Sequence, residues 1–231
     1  MTEAQSKVAL LAGATGLVGT TLLDILLESD DFSRVVAVTR RPLAREHPRL
    51  ANRTVQFDKL ASQFAGFSCH SVFCCLGTTI RAAGSEEGFR KVDVDYVLAL
   101  ARVAQAAQAQ RFIVLSSVGA DAHSKNFYLR TKGEMEEALV KMNLTALDIL
   151  QPSVLLGWRG ELRPLELAAT LLMPLVNPLL VGTYAIYRGI PVRTLALAML
   201  GASRSARRGV NRYSYAGILA LTHKRTARAA L

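Results

Sequence analysis

The sequence contains few cysteines and histidines, and their spacing fits neither a metal site nor a disulfide framework. Three cysteines, Cys69, Cys74 and Cys75, lie close together, and the four histidines are scattered. Neither H-x-x-x-H nor C-x-x-C occurs, so we expect no metal site. Cys74 and Cys75 would point to opposite faces of an apolar strand, which favours reduced core thiols and a cytoplasmic protein. The polar start MTEAQSK predicts no signal peptide.

Acidic residues are missing from the C-terminal segment. No Asp or Glu follows Glu166, whereas nine of the 28 Lys and Arg residues lie from Arg188 to Arg228. A solvated basic face is one interpretation, and attraction to an acidic substrate, a membrane surface or nucleic acid is the other. The segment carries no nucleic-acid-reading motif and is too apolar for a solvated basic arm. We therefore expect no nucleic-acid partner.

The sequence also lacks internal repeats and low-complexity linkers, and strand and helix patterns alternate to about residue 150. Apolar runs predict strands at 8–12, 34–39, 54–57, 71–76, 111–115 and 145–150. We predict one α/β domain over 1–231, a doubly wound, Rossmann-type parallel sheet of six or seven strands with helices on both faces. Residues 1–157 would form the cofactor-binding core and 158–231 a small C-terminal cap.

A glycine-rich turn between the first strand and the first helix predicts a dinucleotide site. In the run from Lys7 to Leu27, three glycines follow the apolar strand at three-residue spacing. The first permits a tight turn, the second lets a pyrophosphate approach the backbone, and the third lets helix and strand pack closely. The predicted cofactor-binding residues of this turn are Gly13, Thr15, Gly16, Leu17, Val18 and Gly19.

The residues after the second strand predict which dinucleotide binds. Arg40 and Arg41 follow that strand, where an acidic residue would bind the ribose 2′-hydroxyl and an arginine a 2′-phosphate. NADP(H) is therefore favoured over NAD(H), although these arginines could also belong to a merely basic loop. Asp58, at the end of the predicted third strand, would meet the adenine amino group. Leu76, Gly77 and Thr78, at the end of the fourth strand, would let the cofactor lie against the backbone.

The fifth strand and the helix after it carry a candidate catalytic group. Ser116 and Ser117 follow the strand at the edge where open parallel sheets bind ligands. Tyr128 and Lys132 come next, and their spacing in a helix running to Met142 places them one turn apart on one face. A neighbouring ammonium favours the phenolate, so Tyr128 could exchange a proton at neutral pH. Y-x-x-x-K alone is weak evidence; its position in the chain strengthens it.

Several motifs together resemble a known family. GATGLVG, the serine pair and YLRTK resemble an atypical short-chain dehydrogenase/reductase. CLGTTIRAAGSEEGFRKVDVDYVLALA, LSSVGADAHSKNFYLRTKGEMEEAL and LQPSVLLG resemble, more closely, the Tat-interacting-protein-like oxidoreductases and their bacterial relatives. The resemblance is dense from Val8 to Gly157. It implies a Rossmann fold, NADP(H) binding and a Ser-Tyr-Lys centre at Ser117, Tyr128 and Lys132. The family is also associated with regulatory, protein-binding roles.

The C-terminal third carries weaker signals. Pro152, Ser153 and Val154 follow the sixth strand and would border the nicotinamide, or simply form a proline turn. The uncharged run from Leu167 to Tyr187 is interrupted by two prolines, so we expect a pocket wall or subunit interface rather than a membrane span. A homodimer would be consistent with this interpretation. Helical patterns follow at 194–200 and 213–221.

These observations predict an NADP(H)-dependent oxidoreductase that reduces the carbonyl group of a substrate. The substrate would have an apolar body. Tyr128 would donate the proton, Lys132 would hold the ribose hydroxyls, and Ser117 would bind the carbonyl oxygen. A non-catalytic NADPH-binding regulator is the first alternative, because it would carry the same turn and the same Arg40. A sugar-nucleotide epimerase or dehydratase is the second, although such enzymes usually have a larger C-terminal substrate domain.

Overall fold

The computed structural model describes residues 7–156, 180 and 182–222. The strands are Val8–Ala12 (β1), Arg34–Thr39 (β2), Leu50–Thr54 (β3), Ser71–Cys74 (β4), Arg111–Leu115 (β5), Ala146–Leu150 (β6), Leu155–Leu156 (β7), Ile190–Pro191 (β8) and Gly209–Tyr213 (β9). The helices are Leu17–Glu28 (α1), Leu60–Gln63 (α2), Ile80–Ala83 (α3), Glu86–Arg90 (α4), Tyr96–Ala106 (α5), Phe127–Val140 (α6), Val192–Ser203 (α7) and Tyr215–Thr222 (α8), with short 3-10 helices at Phe57–Lys59 and Gly182–Tyr187 and a π-helical turn at Lys91–Asp95.

Within the described residues, seven strands form one parallel sheet in the order β3-β2-β1-β4-β5-β6-β9. The strand order reverses between β1 and β4, so the loops that follow these two strands diverge and leave a crevice at the carboxyl edge. The predicted doubly wound, Rossmann-type sheet is confirmed. The seventh strand, β9, continues the sheet beyond β6, and β7 pairs with β8 in a separate two-stranded piece.

In the described part of the chain, the core consists of two apolar clusters, one on each face of the sheet. Helices α1, α7 and α8 cover one face, and α2, α5 and α6 cover the other. Cys74 packs in the second cluster, whereas Cys75 packs against the first. The three cysteines are free thiols. Burial raises the pKa of Cys74 to about 12 and that of Cys75 well above its ordinary value, so both stay protonated at neutral pH.

The predicted third strand at 54–57 is wrong. The strand lies at Leu50–Thr54, and Phe57–Lys59 forms a 3-10 turn instead. This strand is at the edge of the sheet and half exposed, so it lacks the continuous apolar run that marked the central strands. The fourth strand ends at Cys74, two residues before the predicted end.

The C-terminal predictions are partly corrected. The helix predicted at 194–200 is longer, Val192–Ser203, and the segment predicted as one helix at 213–221 is the end of β9 followed by α8. Most of the predicted apolar wall at 167–187 lies outside the described residues. Among the described helices, none is both long and apolar enough to cross a bilayer.

Candidate functional site

The glycine turn after β1 has the geometry of a phosphate cradle. Gly13 has a φ of +86°, and a Cβ there would lie 2.4 Å from the carbonyl oxygen of Cys75. A Cβ on Gly19 would lie 1.9 Å from the carbonyl oxygen of Gly13, so only glycine lets α1 pack this close to the turn. Gly16 caps α1 without a side-chain hydrogen bond. The first N–H groups of the helix are therefore available to a ligand.

A cavity of about 430 Å³ lies beside this turn at the carboxyl ends of β1 and β2. Its wall contains the turn, the end of β2 and the loop after β4; the predicted cofactor residues among these are Gly13, Thr15, Gly16, Arg40, Leu76, Gly77 and Thr78. Phe57 and Tyr96, which also line it, stack with ring centroids 4.9 Å apart. The cavity thus combines a backbone cradle, an aromatic wall and a guanidinium.

The arginines near the second strand fall into two groups. Arg49 donates to the carbonyl oxygen of Ser29, Arg53 lies 5.1 Å from the Phe64 ring centroid, and Arg45 pairs with Asp24. Arg40 is exposed on the cavity wall, and we find no partner for it within the described part of the chain. Its cationic head is free to meet an anion, unlike those of the three structural arginines.

A second cavity, of about 520 Å³, adjoins the first and contains the predicted catalytic pair. The two share Gly16, Cys75, Leu76, Gly77, Thr78 and Ala82 in their walls, so they form one continuous crevice. Predicted residues in the wall of the second cavity are Leu17, Val18, Ser116, Tyr128, Lys132, Pro152 and Val154. Helix α6 begins at Phe127 after the cap of Asn126, whose side chain accepts from Leu129 N. Tyr128 and Lys132 lie one turn apart on the face of α6 that lines the cavity.

Lys132 is buried and paired with an acid that the sequence analysis did not identify. Its Nζ lies 2.7 Å from Oδ1 of Asp93, and the two side chains are 6% and 1% exposed. Burial, the largest single influence, lowers the pKa of Lys132, but the charge and hydrogen bond of Asp93, together with Tyr128 and Cys74 nearby, hold the pKa above its ordinary value. Lys132 is therefore a fixed cation in the cavity wall.

A second buried acid, Glu136, lies one helical turn beyond Lys132. The hydroxyl of Ser116 lies 2.5 Å from Glu136 Oε1, to which Gln151 Nε2 also donates at 2.8 Å. Arg212 Nε, on β9, lies 3.1 Å from Oε2. Glu136 is 4% exposed. Helix α6 thus presents Tyr128 and Lys132 to the crevice and Glu136 to the ends of β5, β6 and β9.

Five predicted residues lie outside the cavity walls of the described structure. They are Gly19, Arg41, Asp58, Ser117 and Ser153. Gly19 acts through packing, as described above, and Arg41 is exposed beside Arg40. Asp58 pairs with Lys91 at 3.1 Å, because the 3-10 turn moves it off the predicted strand end. The Ser117 hydroxyl points to the carbonyl oxygen of Val118 at 3.3 Å, and that of Ser153 to the carbonyl oxygen of Arg188.

Asp93 and Glu136 were not predicted as site residues, and the sequence offers only weak evidence for either. Asp93 lies in the π-helical turn, on the side of the helix that the apolar pattern marks as buried. Such turns are frequent at functional sites because they re-aim a side chain within a helix. Glu136 repeats the four-residue spacing of Tyr128 and Lys132. An acidic residue at a position that the helical pattern assigns to the apolar, buried face is the sequence signal that could have identified both.

Comparisons with known proteins identify the family and two relatives of this chain. A family model described as NAD(P)H-binding matches residues 13–158. Protein HTATIP2 of Rattus norvegicus is 39% identical over 200 residues, which cover 85% of this chain and 81% of the rat protein. Protein FMP52-1 of Scheffersomyces stipitis, named as mitochondrial, is 31% identical over 202 residues, covering 84% and 83%.

The similar solved structures are distant in sequence and support the fold alone. MoeE5 in complex with UDP-glucose and NAD has a TM-score of 0.65 at 16% identity, covering 93% of this chain and 80% of MoeE5. A UDP-glucose 4-epimerase from Thermotoga maritima, with UDP-glucose, has a TM-score of 0.66 at 15% identity, covering 90% and 76%. Both place this chain among Rossmann-type folds.

Proposed function

The chain belongs to the NAD(P)H-binding family, as an atypical short-chain dehydrogenase/reductase similar to HTATIP2, and from this premise we propose that it is an NADPH-dependent carbonyl reductase. One observation carries the proposal. Tyr128 and Lys132 line a crevice that is continuous with the glycine turn and with Arg40. A proton donor and a phosphate cradle thus belong to the same site.

The residues of the first cavity fit a phosphorylated dinucleotide. The cradle at Gly13 and Gly16 would admit a pyrophosphate at the N-terminus of α1, where the helix dipole favours negative charge. Phe57 and Tyr96 offer a flat wall to the adenine. Arg40 would pair with a 2′-phosphate, which NADPH has and NADH lacks. Arg40 therefore underlies the proposed preference for NADPH.

The bound cofactor would supply the hydride, and residues of this chain would donate the proton and stabilise the developing negative charge. Tyr128 would donate its proton to the carbonyl oxygen as that oxygen becomes an alkoxide. Lys132, held cationic by Asp93, would bind the ribose hydroxyls and favour transfer of the phenol's proton. Of the two predicted serines, Ser116 lines the crevice, and the hydroxyl of Ser117 lies 3.3 Å from the carbonyl oxygen of Val118.

The substrate-facing wall is largely apolar. Leu17, Leu76, Leu115, Val154 and Leu155 line the second cavity together with Tyr128 and Lys132. Such a wall favours a carbonyl compound with a hydrophobic body, because burial of apolar surface contributes about 25 cal/mol per Å². A sugar nucleotide would instead need partners for its diphosphate.

Titration of cofactor-stripped protein with NADPH and NADH, followed by a panel of apolar aldehydes and ketones, tests the proposal. We expect NADPH to bind at least tenfold more tightly than NADH, about 1.4 kcal/mol, and at least one carbonyl to be reduced. Cofactor binding without turnover across the panel would favour a regulatory NADPH-binding protein. Tight retention of NAD with turnover of a UDP-sugar would favour an epimerase, and no cofactor binding would refute the proposal.

A further inference from the structure

The hydroxyl of Ser116 can donate only one hydrogen bond, and the structure shows where that bond goes. Its Oγ lies 2.5 Å from Oε1 of Glu136. A carboxylate has no proton to give, so Ser116 must be the donor in this pair. The single proton of Ser116 is therefore directed away from the crevice that Ser116 lines.

The other partners of the Glu136 carboxyl group are nitrogen donors. Gln151 Nε2 donates to Oε1 at 2.8 Å, and the guanidinium Nε of Arg212 lies 3.1 Å from Oε2. Both partners are N–H donors, and each meets one oxygen of the carboxyl group. Glu136 is buried, and both of its oxygens act as acceptors toward these donors.

From this arrangement we infer that Glu136 is a positioning residue for Ser116. Because Glu136 accepts the only proton that Ser116 can donate, Ser116 Oγ is left as a hydrogen-bond acceptor. Its ligand would be the hydroxyl of an alcohol bound in the crevice. The inference rests on the proposed function only in placing the ligand in this crevice. It gives the serine a different role from the predicted one, because an acceptor cannot donate to a carbonyl oxygen. The alcohol product of a reduction has the hydroxyl proton that Ser116 can accept, whereas the carbonyl substrate has none.

The proton balance of this step is simple. Tyr128 would transfer its proton to the substrate oxygen, and the resulting hydroxyl would donate that same proton to a Ser116 lone pair as a hydrogen bond. No further bond to hydrogen breaks, and Glu136 neither gains nor loses a proton in this step. The dyad of Ser116 and Glu136 thus favours the alcohol ligand over the carbonyl ligand at one point of contact.

Two non-reacting complexes test this role without requiring turnover. Cyclohexanol is titrated into the protein loaded with NADPH, and cyclohexanone into the protein loaded with NADP⁺, with saturation-transfer NMR as the readout. In the unsubstituted protein we expect the alcohol to bind more tightly. Ser116→Ala should weaken alcohol binding about fivefold, the loss typical of one neutral hydrogen bond, and leave ketone binding unchanged.

Glu136→Gln tests the positioning role, and Glu137→Gln, at the exposed neighbouring residue, is its matched control. The amide that E136Q introduces offers both a donor and an acceptor and so no longer dictates the direction of the Ser116 proton. We expect E136Q to reduce the preference for the alcohol and E137Q to retain it. Alcohol binding unchanged in S116A, equal losses for both ligands, or no preference for the alcohol in the unsubstituted protein would overturn the inference. A failure to reduce any carbonyl would refute only the proposed function.

Discussion

Asp93 links Lys132 to the loop that follows β4. Its Oδ1 lies 2.7 Å from Lys132 Nζ, and its Oδ2 accepts from the backbone N–H of Thr78 at 2.9 Å. One buried carboxylate therefore holds α6 and the loop after β4 in a fixed relation. Because Thr78 lines both cavities, the position of Lys132 and the shape of the crevice depend on the same side chain.

Asp93→Asn should destabilise the protein while changing few contacts. Asparagine keeps an acceptor for Thr78 but leaves Lys132 as a buried, uncompensated charge, so we expect the free energy of unfolding at pH 7 to fall by about 3 kcal/mol. Urea denaturation measures this loss. Asp95→Asn, an exposed aspartate in the same π-helical turn, is the control. A loss in D93N no larger than that in D95N would contradict the importance of the ion pair.

Arg40→Ala should remove the preference between the two cofactors. The guanidinium would bind the 2′-phosphate, so we expect NADPH affinity to fall at least tenfold and NADH affinity to stay nearly constant. Titration with both cofactors, followed by nicotinamide fluorescence, is the measurement. Arg45→Ala is the control, because Arg45 lies in the same basic loop but pairs with Asp24. Equal losses in both variants would indicate general attraction to a basic loop.

Tyr128→Phe should abolish reduction and spare cofactor binding. The substitution removes the proton donor and keeps the ring, which contacts Phe89 edge-on at 5.9 Å. Loss of a general acid typically lowers the rate by about 10² to 10⁴. Steady-state rates and NADPH affinity are measured together, with Tyr184→Phe, an exposed tyrosine, as the control. Unchanged turnover in Y128F would remove Tyr128 from the mechanism.

Tyr213→Phe should change the stability of the protein at alkaline pH. Burial and the neighbouring Asp148 raise the pKa of Tyr213 to about 12 from 10.0. The folded state thus holds this proton more tightly, and the resulting stabilisation is present below pH 10 and is lost as the pH rises from 10 to about 12.

We therefore expect the unfolding free energy of the unsubstituted protein to decline over that range, and less steeply in Y213F. At pH 7 the variant should be less stable by about 1–3 kcal/mol, because Asp148 loses the hydrogen bond of the phenol. Denaturant unfolding at several pH values provides the data, with exposed Tyr187→Phe as the control. Equal slopes in Y213F and the unsubstituted protein would contradict the assignment.

The parts of the site that the sequence predicted are those whose chemistry is local. Gly13, Gly16 and Gly19 lie within seven residues, and Tyr128 and Lys132 are one turn apart, so spacing alone indicated their geometry. The strand end before Asp58 was predicted incorrectly because the edge strand β3 lacks a continuous apolar run. Both Ser116 and Ser117 were predicted at the site, because adjacent hydroxyls cannot be distinguished until the backbone direction at the strand end is known.

The sequence by itself determined the Rossmann-type α/β fold, the glycine cradle and the Tyr128–Lys132 pair. These features depend on hydrophobic periodicity and short motifs, which involve only residues close together in sequence. Only the tertiary structure decided which buried acid meets which partner. Arg212 lies 76 residues from Glu136 in sequence, and the two meet because β9 adds to the sheet beside β6. Asp93 reaches Lys132 through a π-helical turn. Such contacts depend on strand order and helix register, which no local pattern specifies.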